Sequence, residues 1–188
     1  NTTIRKAEAH LRANQDVARN YLYEGMAYGL RGRLAALREK RRPSARAGKK
    51  MRSLLLKASE LDPSLTDAYL GVGTYNYFVD TLSAIVKILR FFFFIGLPGG
   101  SRVAGLQQLE LAAQKGELTH GEAKFYLAKN LSRRSEMQYA HSLELFQELA
   151  RQYPLNPQWP LLIGSLQFRL GRPKEGEALY REVLKKTA

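Results

Sequence analysis

An all-α fold is predicted by three observations. Apolar residues make up 45% of the 188-residue chain and charged residues 25%, values of a globular protein with a core rather than of a disordered one. Its seven prolines sit at apparent helix boundaries, and strand-like alternation is nearly absent. The stretch Trp159 to Lys186, WPLLIGSLQFRLGRPKEGEALYREVLKK, reads as two helices broken once, at Gly171-Arg172-Pro173. Gly171 suits a helix C-cap, and Pro173 suits the first turn of the next helix, where its missing N–H is no loss. Glu175 and Glu177 follow near the positive end of that helix dipole. Gly176, Leu179, Tyr180, Val183 and Leu184 then share one face at helical spacing.

The same pattern of large and small residues recurs upstream. Residues 1–19, with Ala7 and Leu11, read as a partial unit or a cap. Residues 20–63 carry Tyr21, Glu24, Gly25 and Tyr28 in a first helix, then Met51, Leu55, Ala58 and Pro63 in a second. Residues 64–117 carry Tyr69, Val72 and Gly73, with Asn76 a poor fit, then Gly105, Leu109 and Ala112. Residues 118–154 open on Thr119-His-Gly-Glu122, the pattern of a capping box. They continue with Leu127, Ala128 and Leu131, then Ser142, Phe146, Leu149 and Pro154. Residues 155–188 close the series with Gly164, Gly171, Gly176, Tyr180 and Val183.

These spacings resemble the tetratricopeptide repeat (TPR), a 34-residue helix–turn–helix unit with small residues at positions 8, 20 and 27 and proline at 32. The resemblance implies a single TPR-like domain: a right-handed solenoid of antiparallel helix pairs, with Gly25, Gly73, Ala128 and Gly164 at close helix crossings. It also implies a non-enzymatic scaffold that binds a peptide or partner helix in a concave groove lined by first helices. The positions between the packing residues give Asn20, Tyr23, Tyr75, Lys124, Asn130 and Gln167 as groove candidates.

Two units depart from the template, both between first and second helix. The earlier insertion, about fourteen residues around Ala35 to Lys50, is basic. Between Arg31 and Arg52 ten basic residues face one acid, Glu39, so this segment carries +9 of the chain's net +13. Arg38, Lys40, Arg41, Arg42, Arg46, Lys49 and Lys50 are its anionic-surface candidates. The later insertion, about twenty residues, holds Phe91, Phe92, Phe93 and Phe94. Two readings of these rings stay open: burial within the chain or a homo-oligomer, or insertion into a membrane or partner, because four consecutive phenylalanines cover more than one helix face. Equivalent turns of successive repeats would bring the two insertions together. A basic segment beside an aromatic one fits an anionic membrane surface, as an alternative to the peptide scaffold. Nucleic acid is disfavoured, since the basic stretch contains no stacking aromatic.

Catalysis finds little support. Without cysteine there is no disulfide, thiolate nucleophile or cysteine metal site. His10, His120 and His141 are far apart and in no HExxH motif, and the aspartates form no paired-carboxylate pattern. Gly99-Gly100-Ser101-Arg102 lacks the Walker lysine and a preceding strand, so Ser101 is expected to be a helix N-cap. No cofactor or metal is expected. The apolar run Leu82 to Pro98 is interrupted by Lys87 and Arg90 and is shorter than a spanning helix requires. The chain begins at Asn1, so a processed or truncated product is expected, with any signal or anchor upstream. The overall pattern resembles bacterial envelope proteins, which favours a periplasmic or envelope-associated location over a cytoplasmic one.

Overall fold

The computed structural model describes residues 2–82 and 98–187. All secondary structure among these residues is helical. Two compact units divide the chain, Asn1–His120 and Gly121–Ala188.

The first unit contains α1 (Thr2–Arg12), α2 (Val17–Leu37), α3 (Arg41–Leu61), α4 (Ala68–Asp80) and α5 (Arg102–Lys115). The pairs α2/α3 and α4/α5 are antiparallel, and their small residues set the register. A Cβ added at Gly25 would meet the Leu55 side chain, one at Gly29 would meet Met51, and one at Gly32 would meet Ala47. The partner number falls as the glycine number rises, which is the signature of an antiparallel crossing. In α4/α5 the approach is closer still, because Gly73 and Gly105 bring backbone against backbone. The core gathers Leu22, Leu55, Ala58, Ala68 and Val72, with Tyr21, Met26, Met51, Leu56 and Leu65 packed around it. The N-terminal segment forms a single helix, α1, which packs on α2 and buries Ile4 and Ala7.

The basic insertion is no separate loop. Its residues lengthen α2 and α3 to 21 residues each, joined only by Arg38-Glu39-Lys40. Helix is the cheapest way to add residues here, since Gly32 against Ala47 lets the two helices stay in contact beyond the ordinary repeat.

The second unit contains α6 (His120–Leu131), α7 (Tyr139–Gln152), α8 (Gln158–Arg169) and α9 (Pro173–Thr187). Ser142 donates from Oγ to the Ala128 carbonyl at 2.8 Å, placing two small residues at the α6/α7 crossing. Phe125, Phe146 and Trp159 form a ring cluster with centroids 6.1–6.3 Å apart. The Trp159 indole N–H donates to the Tyr153 carbonyl at 2.9 Å. Between α8 and α9 the backbone follows the expected break. Gly171 has φ of +75°, its N–H bonds the Phe168 carbonyl, and the Arg172 N–H bonds the Gln167 carbonyl. Those two bonds are the Schellman pattern, and Pro173 begins α9 directly after.

Gly164 lies at the α8/α9 crossing, where an added Cβ would sit 2.6 Å from Tyr180 Cε1 and 3.3 Å from the Gly176 carbonyl oxygen. Gly164→Leu should therefore overpack the crossing and lower stability by roughly 1–3 kcal/mol. Thermal unfolding unchanged by this substitution would contradict the assigned register.

Candidate interaction surfaces

The six groove candidates meet different fates. Tyr23 is exposed on α2, with 41% of its surface accessible. Asn20 is buried, and its Nδ2 donates to the Gln15 and Asp16 carbonyls at 2.8 and 3.1 Å. It therefore closes the start of α2 rather than facing a ligand. Tyr75 is buried, donates from its hydroxyl to the Pro98 carbonyl at 3.0 Å, and stacks under the Arg52 guanidinium at 5.5 Å. Asn130 is buried as well. Lys124 is mostly covered and donates to Glu148 at 2.7 Å, a bond that holds the Glu148 carboxyl below its ordinary value. Gln167 is half-buried, with an enclosed Oε1. Only Tyr23 offers an open ring. The reason is angular: positions between packing residues still face a neighbour wherever a third helix covers them.

Phe78, on α4, is an exposed ring that the repeat positions did not single out; 61% of its surface is accessible. Its helix touches α2, so Tyr23 and Phe78 belong to adjoining first helices of one unit. Its signal in the sequence was weak, since a phenylalanine two residues after an ill-fitting Asn76 reads equally well as core.

The basic residues Arg38, Lys40, Arg41, Arg42, Arg46, Lys49 and Lys50 are all exposed on the α2/α3 extension. Arg52 differs from them, being half-buried over Tyr75. Arg31, one turn further along α2, lies 5.9 Å from the Tyr28 ring, and antiparallel pairing brings Lys50 of α3 to 6.0 Å from it. The sequence placed no aromatic inside the basic stretch, yet the fold supplies one to it from just outside. Phe91 to Phe94, and with them the pairing of the two insertions, lie outside the described residues.

A buried carboxylate adjoins this hairpin. Glu24 is almost fully covered on α2. Burial pushes its carboxyl above the ordinary range, Lys50 pulls it back, and Glu8 pushes it further up. The folded state thus holds this proton more tightly than the unfolded chain does. The associated stability is present at low pH and is lost as pH rises above the unfolded value of about 4.5. Glu24→Gln should raise the unfolding temperature at neutral pH, and the gain should disappear on acidification. A gain that stays constant between about pH 4 and pH 8 would contradict this assignment.

Among the described residues no group of three His, Asp or Glu side chains is placed to hold a metal ion, and no helix is long and apolar enough to cross a membrane. Ser101 accepts from the Ala104 N–H at 3.2 Å, as an N-cap does, and Asp80 accepts from the Arg102 N–H at 2.8 Å. The Gly99-Gly100 segment is therefore a turn into α5.

No known family profile matches the sequence. No curated protein matches it either. Among solved structures, the crystal structure of MamA aligns over 98% of this chain and 86% of that one, with a TM-score of 0.63 at 16% identity. The fold is a TPR-like helical repeat. At that identity the likeness extends to architecture, and the function must be argued from this chain's own surface.

Proposed function

We propose that the protein is a non-enzymatic scaffold that holds a peptide or partner helix against the first-helix face of its N-terminal unit. The observation that carries this reading is the pair of exposed rings, Tyr23 on α2 and Phe78 on α4, on two helices that pack together. Aromatic side chains supply large contact area at small entropic cost and anchor most protein interfaces. The repeat architecture supports the same reading, because stacked helix pairs present first helices side by side. A photo-crosslinking residue placed at position 23 or 78 should capture a polypeptide in cells, whereas one at Glu60, exposed on α3, should not. Phe78→Glu should then weaken binding of the captured segment by roughly tenfold or more. Capture at position 60 alone would remove this reading.

A second reading is favoured by the α2/α3 extension. Seven exposed basic residues cluster there with a single acid, Glu39, in the joining turn. Such a surface suits an anionic membrane, where each Lys or Arg contributes about 1 kcal/mol at modest ionic strength. Binding to anionic vesicles should fall steeply as salt shortens the screening length below about 10 Å.

A further inference from the structure

The extension carries apolar side chains as well as charge. Leu30, Leu34 and Leu37 are accessible to 66%, 48% and 77%, although each lies on the helix that packs along α3. Their spacing explains this. Positions i, i+4 and i+7 fall within about 60° of one another around a helix, forming a stripe ~10 Å long. Gly25, Gly29 and Gly32 mark the side of α2 that faces α3, and they lie on the opposite part of the helix circumference. The leucines therefore project away from the hairpin partner. Arg31 and Arg38 flank the stripe on one side and Arg33 on the other, and Arg38, Lys40, Arg41 and Arg42 close its end.

Resting on the anionic-membrane reading above, we infer that this stripe inserts into the interface of an anionic bilayer while the flanking arginines and lysines engage lipid headgroups. The occupant follows from charge complementarity and geometry. A protein groove would need to supply acids around the whole rim and at the tip, whereas a bilayer presents both anionic headgroups and acyl chain along one plane. An RNA would satisfy the basic rim but would leave three leucines in water. Interfacial helices combine these same two features, a narrow apolar stripe and long basic side chains whose stems cover its edges. The 21-residue length of each helix carries Leu34 and Leu37 roughly 16 Å or more along α2 from Tyr23.

The chain has no cysteine, so single labels are straightforward. The full chain carrying Leu37→Cys is labelled with an environment-sensitive fluorophore and mixed with phosphatidylcholine–phosphatidylglycerol vesicles of roughly two-to-one composition, or with phosphatidylcholine alone. The label should shift to the blue and resist an aqueous quencher on the anionic vesicles only; the same label at Lys57→Cys on α3 should remain quenchable. Leu30→Gln/Leu34→Gln/Leu37→Gln, which alters only exposed positions, should lower the partition coefficient roughly tenfold or more and leave its salt dependence in place. Retained binding with an unshifted label and an unaffected triple variant would overturn insertion while leaving electrostatic association standing. Absence of vesicle binding by the unsubstituted chain would overturn both. A dimer in solution that the triple variant dissociates, without vesicle binding, would assign the stripe to a second copy instead, and tight RNA binding alone would assign the rim to nucleic acid.

Discussion

Asp67→Ala is expected to destabilise the N-terminal unit by roughly 3–5 kcal/mol, because it removes a buried acceptor shared by four donors. Asp67 is almost fully enclosed. Its Oδ1 accepts from the Leu118 N–H at 2.9 Å, the Thr119 N–H at 2.8 Å and the Thr119 hydroxyl at 2.7 Å, and its Oδ2 accepts from the Glu117 N–H at 3.3 Å. These donors belong to the connection between α5 and α6, outside either helix, so no helical carbonyl is in place to accept from them. Alanine would leave them in a space too enclosed for easy hydration. Asp67→Asn is a graded comparison. Its carbonyl can keep the three Oδ1 bonds, while its amide faces only the weakest donor, so the loss should be about a third of that for alanine. Thr119→Val removes a single donor and should cost about 1 kcal/mol. Chemical denaturation of the three variants would test the order. Equal losses for Asn and Ala would mean that charge, not acceptor geometry, holds the segment.

Gly105→Leu should be comparably severe, at about 3 kcal/mol or more. A Cβ at position 105 would lie 2.6 Å from the Tyr77 amide nitrogen and 2.8 Å from the Gly73 carbonyl oxygen. Both are backbone atoms of α4, which cannot swing aside as a side chain can. The contrast with Gly164 is direct: there the nearest obstacle is the edge of the Tyr180 ring. Gly105→Ala should therefore already destabilise, against the roughly 1 kcal/mol that alanine ordinarily gains over glycine within a helix. Gly164→Ala should be milder. Calorimetric unfolding of the two alanine variants would expose a wrong assignment by reversing their order.

The sequence by itself determined the features set by neighbours within a few residues or by helical period. The α8/α9 break was legible because Gly171 supplies the positive φ and Pro173 the helix start, both local requirements. The N-cap at Ser101 was legible for the same reason. Helix pairing was legible from small residues at fixed spacing, since a close crossing tolerates little else at Gly25, Gly73, Ala128 and Gly164. Thr119 was only partly read: its place at a helix start was evident, but its hydroxyl is given to Asp67.

Tertiary structure decided which polar groups remain available. Asn20, Tyr75 and Asn130 occupy positions that a helical wheel leaves open, and the fold buries all three. Asp67 and Thr119 are 52 residues apart, so no local rule pairs them. Likewise Tyr28 meets Lys50 only once α2 and α3 are laid antiparallel, whereas Arg31 reaches the same ring from one turn along α2. Helical period fixes the direction of each side chain about its own axis. Which helix, if any, lies in that direction depends on contacts distant in sequence, and those contacts separate a buried asparagine from an exposed leucine stripe.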